Sequence, residues 1–270
     1  MEGIFLKLNE DQIRRYSRQI ILPEVGGKGQ KTLLNSKVLV VGAGGLGSPV
    51  TYYLAAAGVG TIGIIDYDAV DISNLQRQIL HSTSDIGRPK VISAKETLEG
   101  LNPDVKIKAY QDRLTKDNVV SLISDYDLVI DGVDNFSARY LLNDACVLEG
   151  KTMIEAGVLR WDGMVMTILP RKGPCYRCIF PTPPSPENAP TCQEAGIIGA
   201  SAGLIGIVEA TEAIKYLLNV GDLLVGRMLI YNALESRFQE VAVARNEDCP
   251  VCGDNPKITS LYEYDENCIT

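Results

Sequence analysis

Hydrophobic residues along the chain alternate between short continuous runs and longer stretches in which they recur every three or four positions. The first run, at 37–41, is typical of a strand buried on both faces, and the stretch at 48–58 is typical of a helix that ends at a glycine. The alternation continues with strands predicted at 61–66, 106–111, 127–133 and 152–158, and helices at 89–99, 116–124 and 138–150. This order predicts an α/β fold: a Rossmann-like, mostly parallel sheet with helices on both faces.

The two ends of the chain follow other patterns. Residues 9–20 predict a short helix, with Asn9 as N-cap and Gln12 at the reciprocal capping-box position. The segment 21–36 indicates irregular structure, because it contains Pro23 and two adjacent glycines. Beyond residue 160 the pattern predicts antiparallel strands at 164–170 and 228–244, one long helix at about 200–219, and an exposed, poorly ordered loop at 181–191, where five of eleven residues are proline.

Composition narrows the class of protein. The chain has 270 residues and a net charge of −8, which argues against unassisted binding to nucleic acid. We find no export signal near the start, and the longest nearly uncharged apolar stretch, 195–208, is too short to span a bilayer. We therefore expect a cytoplasmic protein with neither membrane nor nucleic-acid partners. In such a reducing compartment its seven cysteines are free for metal binding or chemistry.

A glycine turn follows the first strand. Gly42, Gly44 and Gly47 form a G-x-G-x-x-G pattern, with Gly45 inside it, and Asp66 ends the next strand. Glycines permit the tight turn and the approach of backbone N–H groups to a phosphate, while the acid suits ribose hydroxyls. The pattern predicts a nucleotide site but does not distinguish NAD from ATP, and a turn required only for packing is the alternative.

The polar residues after Asp66 favour ATP. Asn74, Arg77, Arg88 and Lys90 follow it, and Asp134–Asn135 end a later predicted strand. Arginine and lysine suit a polyphosphate, and a nearby aspartate suits Mg²⁺. A dehydrogenase would need an acid–base residue, and the lone histidine, His81, is expected to be structural. Each charge taken singly could be a solvated surface residue, but the set together predicts Mg-ATP.

Five segments carry a resemblance to a known family: RYSRQIILPEVGGKGQ (15–30), VLVVGAGGLGSP (38–49), GIIDYDAVDISNLQRQILH (63–81), GRPK (87–90) and DGVDNFSAR (131–139). They closely resemble the ThiF/MoeB/HesA family, bacterial and archaeal relatives of ubiquitin-activating enzymes. Members adenylate the C-terminal Gly-Gly carboxylate of a small ubiquitin-like sulfur-carrier protein and release pyrophosphate. The resemblance therefore implies an adenylyltransferase that serves thiamine, molybdopterin or tRNA-thiolation pathways.

The resemblance also implies residue roles. Asp66 would hold the ribose, Asn74, Arg77 and Lys90 would contact the phosphates, and Asp134 would organise Mg²⁺. Arg18 would act in the other subunit of a homodimer. The nucleotide site would further include the glycines of the turn together with Asp68, Ser73, Leu75, Gln76 and Asn135.

The cysteines form two C-x-x-C pairs, Cys175 with Cys178 and Cys249 with Cys252, 70 residues apart. Two such pairs complete a closed tetrahedral Zn²⁺ site that would staple the C-terminal segment to the body. The alternatives are a redox pair or a pair of disulfides.

Three cysteines lie outside the two C-x-x-C pairs. Cys192 precedes the long predicted helix, where a thiolate is activated; the family includes members with and without a covalent cysteine there, so a covalent role and an incidental one both stay open. Cys146 and Cys268 are expected to be inert.

We expect one adenylation domain over 1–270. It comprises a helical arm at 1–36, a nucleotide-binding core at 37–160, and antiparallel strands, a crossover loop and the zinc site at 161–270. Two rival functions remain: a dehydratase like the one that acts on tRNA threonylcarbamoyladenosine, and a non-catalytic NAD-binding scaffold. A separate sulfur donor is expected, since no rhodanese-like domain is recognised in the chain.

Overall fold

The computed structural model describes residues 8–184 and 195–263. They form one eight-stranded sheet in the order β3-β2-β1-β4-β5-β6-β7-β8. The strands are β1 (Lys37–Val41), β2 (Thr61–Ile65), β3 (Lys106–Tyr110), β4 (Leu128–Asp131), β5 (Met153–Leu159), β6 (Asp162–Ile168), β7 (Arg227–Asn232) and β8 (Arg237–Ala242). The first five pair in parallel, and β6, β7 and β8 continue the sheet antiparallel. The predicted fold class is confirmed.

The helices connect and cover this sheet. They are α1 (Glu10–Arg15), α2 (Ser17–Ile20), α3 (Gly26–Asn35), α4 (Gly47–Ala57), α5 (Lys90–Leu101), α6 (Val119–Ser124), α7 (Phe136–Leu148), α8 (Tyr176–Ile179) and α9 (Gly199–Leu218). Two 3₁₀ turns, Ile72–Asn74 and Thr83–Asp85, lie between β2 and α5. No helix in 8–184 or 195–263 is both long and apolar enough to cross a membrane.

Both faces of the central strands are buried. In β1, Val38 and Val40 belong to one core, with α4, α5 and α9, whereas Leu39 and Val41 belong to the other, with α6 and α7. Successive strand residues point to opposite faces. A strand covered on both sides must therefore be apolar at every position, which explains the continuous runs in the sequence.

The prediction of irregular structure at 21–36 is wrong, because α3 occupies Gly26–Asn35. Leu33 and Gln30 are buried on its inner face. A Cβ atom at Gly29 would lie 3.1 Å from the side chain of Leu218 in α9, so the glycine permits the close approach of the two helices. Tertiary packing outweighs the low helix propensity of glycine here.

The predicted helix at 9–20 is divided into α1 and α2 at Tyr16, and its capping box between Asn9 and Gln12 is confirmed. In the predicted proline-rich loop, residues 181–184 run at or near the surface. The hydroxyl oxygen of Tyr140 lies 2.7 Å from the carbonyl oxygen of Thr182 and 3.0 Å from that of Phe180, which ties the start of this loop to α7. Residues 185–191 of that prediction lie outside the described part of the chain.

Candidate functional site

Three turns meet at one edge of the sheet. Val41, the last residue of β1, pairs with Ile65 on one side and with Asp131 on the other. The turns that follow β1, β2 and β4 therefore begin at the same level. β1 lies between β2 and β4, so the chain continues from β1 to one side of the sheet and later returns to the other side. The carboxyl end of β1 is therefore a topological switch point, where α/β sheets bind ligands.

Two glycines of the turn are required by its backbone conformation and packing, and the other two have space beside their Cα atoms. Gly42 has φ +99°, a conformation that other residues rarely adopt, and a side chain at Gly47 would collide with the carbonyl of Gly42. At Gly44 a Cβ atom would have its nearest neighbour, Gln78, 3.7 Å away. At Gly45 the nearest groups are Ala202 and Arg77, 3.4 to 3.5 Å away. The turn thus leaves backbone accessible at the start of α4, as a bound phosphate or nucleoside requires.

Asp66 follows β2 and fastens the glycine turn. Its Oδ2 accepts a hydrogen bond from the N–H of Ala43, and its Oδ1 accepts one from the N–H of Asp68, each at 2.8 Å. Burial raises the pKa of the Asp66 carboxyl above its ordinary value, against the opposing effect of Lys90. A carboxylate has about four acceptor positions. Two therefore remain for ribose hydroxyls.

Lys90 is the first residue of α5 and is buried. Its Nζ donates to Oδ2 of Asp68 at 2.8 Å, and its N–H donates to the carbonyl of Asp68 at 2.9 Å. Asp68 is half exposed. A polyphosphate that approached this edge could therefore displace the Asp68 carboxylate and bind the ammonium group of Lys90. Asp66, Asp68 and Lys90, each predicted for the nucleotide site, thus lie together in the structure.

The segment 71–77 forms a compact polar turn beside the glycines. Asp71 accepts hydrogen bonds from the N–H and hydroxyl of Ser73, and Asn74 accepts one from the N–H of Asp71. Arg77 donates from its guanidinium to the carbonyl of Ser73 at 3.0 Å, and its side chain runs past Gly45. The turn thus places the cation of Arg77 next to the accessible backbone of the glycine turn.

Two other predicted site residues in this turn have packing roles. Leu75 is half-buried, and Gln76 lies against the first residue of α9, where a side chain at Gly199 would strike the Gln76 carbonyl. α9 therefore begins in direct contact with the polar turn.

Asp134 and Asn135 lie on the turn after β4. Asp134 is exposed, whereas Asn135 caps α7 by accepting a hydrogen bond from the N–H of Ala138 at 2.9 Å. A Cβ atom at Gly42 would collide with the carbonyl of Gly132, so this turn lies directly against the glycine turn. The exposed carboxylate of Asp134 is thus presented at the same edge as Asp66 and Lys90.

A buried charged cluster, which the sequence analysis missed, holds the Asp134 turn in place. The guanidinium of Arg139 donates to Asp131 (3.0 Å), to the carbonyl of Val133 (3.2 Å) and to that of Ala156 (2.7 Å). Glu155 lies 3.5 Å from the same guanidinium. Two signals in the sequence indicate this cluster: Asp131 ends an apolar strand, and Glu155 interrupts another.

Glu209 adds a third carboxyl group to the cluster, from α9. It is fully buried, and neither of its carboxyl oxygens has a hydrogen-bond partner among the described residues. Burial raises the pKa of Glu209 well above its ordinary value, and Asp131 and Glu155 act in the same direction. Burial likewise raises the pKa of Glu155 to about 7. Three carboxyls thus face the single cation of Arg139.

We expect Glu209→Gln to stabilise the protein at pH 8 but hardly at pH 5. A carboxyl whose pKa is higher in the folded state favours folding below its unfolded pKa and loses that contribution as the pH rises towards the folded value. Glutamine does not titrate, so it adds no such pH dependence to the free energy of unfolding. The variant's advantage in free energy of unfolding should therefore grow by up to about 1.4 kcal/mol per pH unit, as urea unfolding at several pH values would measure.

Glu212, one turn further along α9, provides the matched control. Its carboxylate accepts hydrogen bonds from the hydroxyl of Thr167 and the N–H of Leu224, each at 2.8 Å. Glu212→Gln should lower the free energy of unfolding at both pH values. A Glu209→Gln variant whose advantage does not change with pH would contradict the assignment of a buried, protonated carboxyl.

Arg18 lies away from this edge. It is exposed, and its guanidinium forms no hydrogen bond or ion pair with any residue in 8–184 or 195–263. Its neighbour Gln19 donates to the carbonyl of Ala57, at the end of α4. The glycine turn is at the beginning of that helix, about 15 Å away at 1.5 Å per residue. Arg18 is therefore not brought to the site of its own chain.

The four predicted cysteine ligands converge. The sulfur atoms of Cys175, Cys178, Cys249 and Cys252 all lie within 4.8 Å of one another. Cys175 Sγ is 3.6 Å from Cys249 Sγ, and Cys178 Sγ is 3.4 Å from Cys252 Sγ. Sulfur atoms in a tetrahedral zinc site, 2.3 Å from the metal, are about 3.8 Å apart. The N–H groups of Cys175 and Asn246 point at Cys178 Sγ, each at 3.4 Å, as suits a thiolate. The donor set fits a metal ion.

The sequence contains three further cysteines. Cys146 is fully buried in α7, and burial raises the pKa of its thiol, so it is unreactive. The predictions for Cys192 and Cys268 fall on residues that the structure does not describe.

His81 is a structural residue. Its Nδ1 lies 2.8 Å from the hydroxyl of Ser93, and its Nε2 lies 3.0 Å from the carbonyl of Ala43. Burial lowers the pKa of His81 below its ordinary value. With both nitrogens engaged beneath the glycine turn, the ring supports that turn and has no free nitrogen for proton transfer.

Comparison with known proteins agrees with the sequence resemblance. The model of the ThiF family matches residues 16–251. A "Sulfur carrier protein adenylyltransferase" of Thermus thermophilus is 46% identical over 97% of this chain and 99% of its own length. A "SAMP-activating enzyme E1" of Haloferax volcanii is also 46% identical, over 97% of both chains.

Two further similarities concern longer proteins. The "Adenylyltransferase and sulfurtransferase MOCS3" of Culex quinquefasciatus is 46% identical, and the chain spans 60% of its length. Among solved structures, MccB of E. coli has a TM-score of 0.79 over 90% of this chain and 73% of its own, at 23% identity. That likeness shows a common fold.

Proposed function

Because the chain belongs to the ThiF family, we propose that it is an ATP-dependent adenylyltransferase that activates the C-terminal Gly-Gly carboxylate of a ubiquitin-like sulfur-carrier protein. One observation carries the proposal. The accessible glycine turn, the acid Asp66 and the cations Lys90 and Arg77 lie at one edge of the sheet, beside the exposed carboxylate of Asp134. That edge provides for a ribose, a triphosphate and Mg²⁺ together.

The reaction is a displacement at the α-phosphorus of ATP. An oxygen of the carrier's terminal carboxylate forms a bond to the α-phosphorus, and the bond from that phosphorus to the bridging oxygen breaks. Pyrophosphate leaves with the electron pair, and an acyl adenylate remains. No proton is transferred, so positioning and charge neutralisation suffice. This agrees with the engagement of both His81 nitrogens in structural contacts.

Each residue at the edge has a part in this scheme. Asp66 receives the ribose hydroxyls, Asn74, Arg77 and Lys90 contact the phosphates, and the two cations among them neutralise phosphate charge. Asp134 is the carboxylate through which Mg²⁺, together with phosphate oxygens, would be held. Asn135 positions the Asp134 turn by capping α7. A bound Mg²⁺ supplies neutralisation of the charge on the leaving pyrophosphate.

We propose that the cysteine cluster holds a structural Zn²⁺. Four sulfur ligands and the burial of Cys175 and Cys249 support a closed site without an open coordination position. The covalent role of Cys192 stays a prediction.

We propose that the enzyme is a homodimer in which Arg18 enters the other subunit's site. Its guanidinium lacks a partner among the described residues of its own chain, and its neighbour Gln19 is bound at the end of α4 that is farther from the glycine turn. Ile21 and Ile72 are 72% and 70% exposed, which supports a covering partner. We propose that the activated carrier receives sulfur from a separate donor and serves thiamine, molybdopterin or tRNA-thiolation sulfur transfer.

The proposed function is tested by ATP–pyrophosphate exchange with purified sulfur-carrier proteins as probes. We expect exchange that depends on a carrier ending in Gly-Gly and disappears when these two glycines are removed from the carrier. Turnover of tRNA without any carrier would favour the dehydratase alternative. Tight binding of NAD without binding of ATP, measured by calorimetry, would favour the scaffold alternative.

A further inference from the structure

The arm that carries Arg18 is locked onto the C-terminal end of α4. The ring of Tyr16 is buried against Gly58, whose φ of +83° ends the helix and where a side chain would strike the ring. The hydroxyl of Tyr16 donates to Asp104 (3.3 Å) and accepts from the amide of Asn102 (2.9 Å). That amide also donates to the carbonyl of Ala55 at 2.6 Å. Tyr16 thus joins the arm, α4 and the segment before β3.

Gln19 makes the second attachment. Its amide donates to the carbonyl of Ala57 at 2.8 Å, and it also contacts the side chain of Gln30 in α3. Gln30 donates to the same carbonyl at 3.0 Å. The last carbonyls of a helix have no partner within it. Two carbonyls at the end of α4, those of Ala55 and Ala57, are therefore satisfied by the groups that hold the arm.

The two attachments lie on either side of Arg18. Tyr16 immediately precedes α2 and Gln19 lies within it, and both contact the end of α4. Tyr16 is 2% exposed, and Arg18 is exposed. The two anchors flank Arg18 in sequence, so their contacts fix the backbone from which its side chain extends.

We propose that Tyr16 and Gln19 are positioning residues that hold Arg18 in register for the active site of the neighbouring subunit. This inference rests on the proposed homodimer. α4 then has a function at each end: its first turn belongs to the nucleotide site of its own chain, and its last turn orients the arm that serves the other chain.

Mixed dimers with two affinity tags test this role, because they separate the arm from the site that it serves. One subunit carries Lys90→Ala, which inactivates its own site, so only the second subunit turns over ATP. When the Lys90→Ala subunit also carries Gln19→Leu, the altered arm serves the live site. We expect kcat of exchange to fall about tenfold with little change in KM for ATP, since misplacement of a group by about 1 Å costs up to ~100-fold. When Gln19→Leu is on the live subunit instead, kcat should be unchanged.

Tyr16→Phe, which removes only the hydroxyl, should show the same dependence on which subunit carries it. Both variants leave the last carbonyls of α4 satisfied, because Gln30 still donates to that of Ala57 and Asn102 still donates to that of Ala55. Equal losses in the two arrangements, or no loss in either, would overturn the positioning role.

Arg18→Ala in the same two arrangements distinguishes this inference from the proposed function. If Arg18→Ala lowers kcat only when the Lys90→Ala subunit carries it, and the Tyr16 and Gln19 variants do not, Arg18 acts across the dimer but Tyr16 and Gln19 do not position it. If Arg18→Ala shows no such dependence on the subunit, action across the dimer is itself wrong.

Discussion

Replacement of Asp134 by alanine is expected to lower carrier-dependent ATP–pyrophosphate exchange by about 10²–10³-fold, the typical cost of removing one preorganised electrostatic contact. The carboxylate is exposed at the switch-point edge, on a turn that Arg139 and the cap of α7 hold rigidly. Without it, Mg²⁺ loses a fixed ligand and the leaving pyrophosphate loses neutralisation. The loss should appear in kcat at saturating Mg²⁺, measured with the 270-residue chain.

Asp125→Ala is the matched control for this experiment. Asp125 is also an exposed acid, but it precedes β4 and so lies at the opposite edge of the sheet, where its only described ion pair is a 3.8 Å contact with Lys108. The Asp125→Ala substitution removes the same charge as Asp134→Ala and should leave ATP–pyrophosphate exchange unchanged. Full activity of Asp134→Ala, or an equal loss in Asp125→Ala, would contradict the assignment of Asp134 to Mg²⁺.

Replacement of Cys175 by serine is expected to abolish metal binding and to lower the midpoint of thermal unfolding by about 10 °C or more. Zinc binds such clusters with about 10–16 kcal/mol in isolated peptides, and ~1 kcal/mol corresponds to ~2–4 °C in a chain of this size. Cys249 and Val251 are buried in the same apolar cluster as Cys175, so loss of the metal would loosen the packing of the C-terminal segment. Metal analysis and calorimetry would measure both effects.

Cys146→Ala separates this effect from the general loss of a buried thiol. Cys146 is as deeply buried as Cys249 but lies outside the cluster. Its replacement should cost some stability and leave the metal content at about one ion per chain, as expected for a single closed site. If Cys175→Ser retained the metal, or if the metal-free reduced protein unfolded at the same temperature, the structural zinc proposal would fail.

The sheet and most of its helices were predictable, because buried parallel strands must be apolar at every position and the connecting helices carry a regular period. The position of α3 was not, since its helical state depends on a glycine that lets it approach Leu218 nearly 190 residues away. Local propensity contains no information about such a contact.

The candidate site shows the same division. Gly42, Gly47 and Asp66 could be identified because their roles depend on neighbours in sequence and on the ends of adjacent strands. The sequence signals an unusual acid at Glu155, but its meeting with Arg139 and Glu209 could not be predicted, because the three residues come from α7, β5 and α9 and their charges meet only when these elements pack together.

The sequence by itself predicted a nucleotide site with its acid and cations, and a set of four cysteines for a metal, because each prediction depends on residue types at short spacing. Only the tertiary structure decided how these groups are held. It placed Asp134 on a turn braced by a buried arginine, and it fastened Arg18 to the far end of the helix that begins at the glycine turn. Long-range packing creates these contacts, because desolvated charges and unpaired helix carbonyls must find partners wherever the fold brings them.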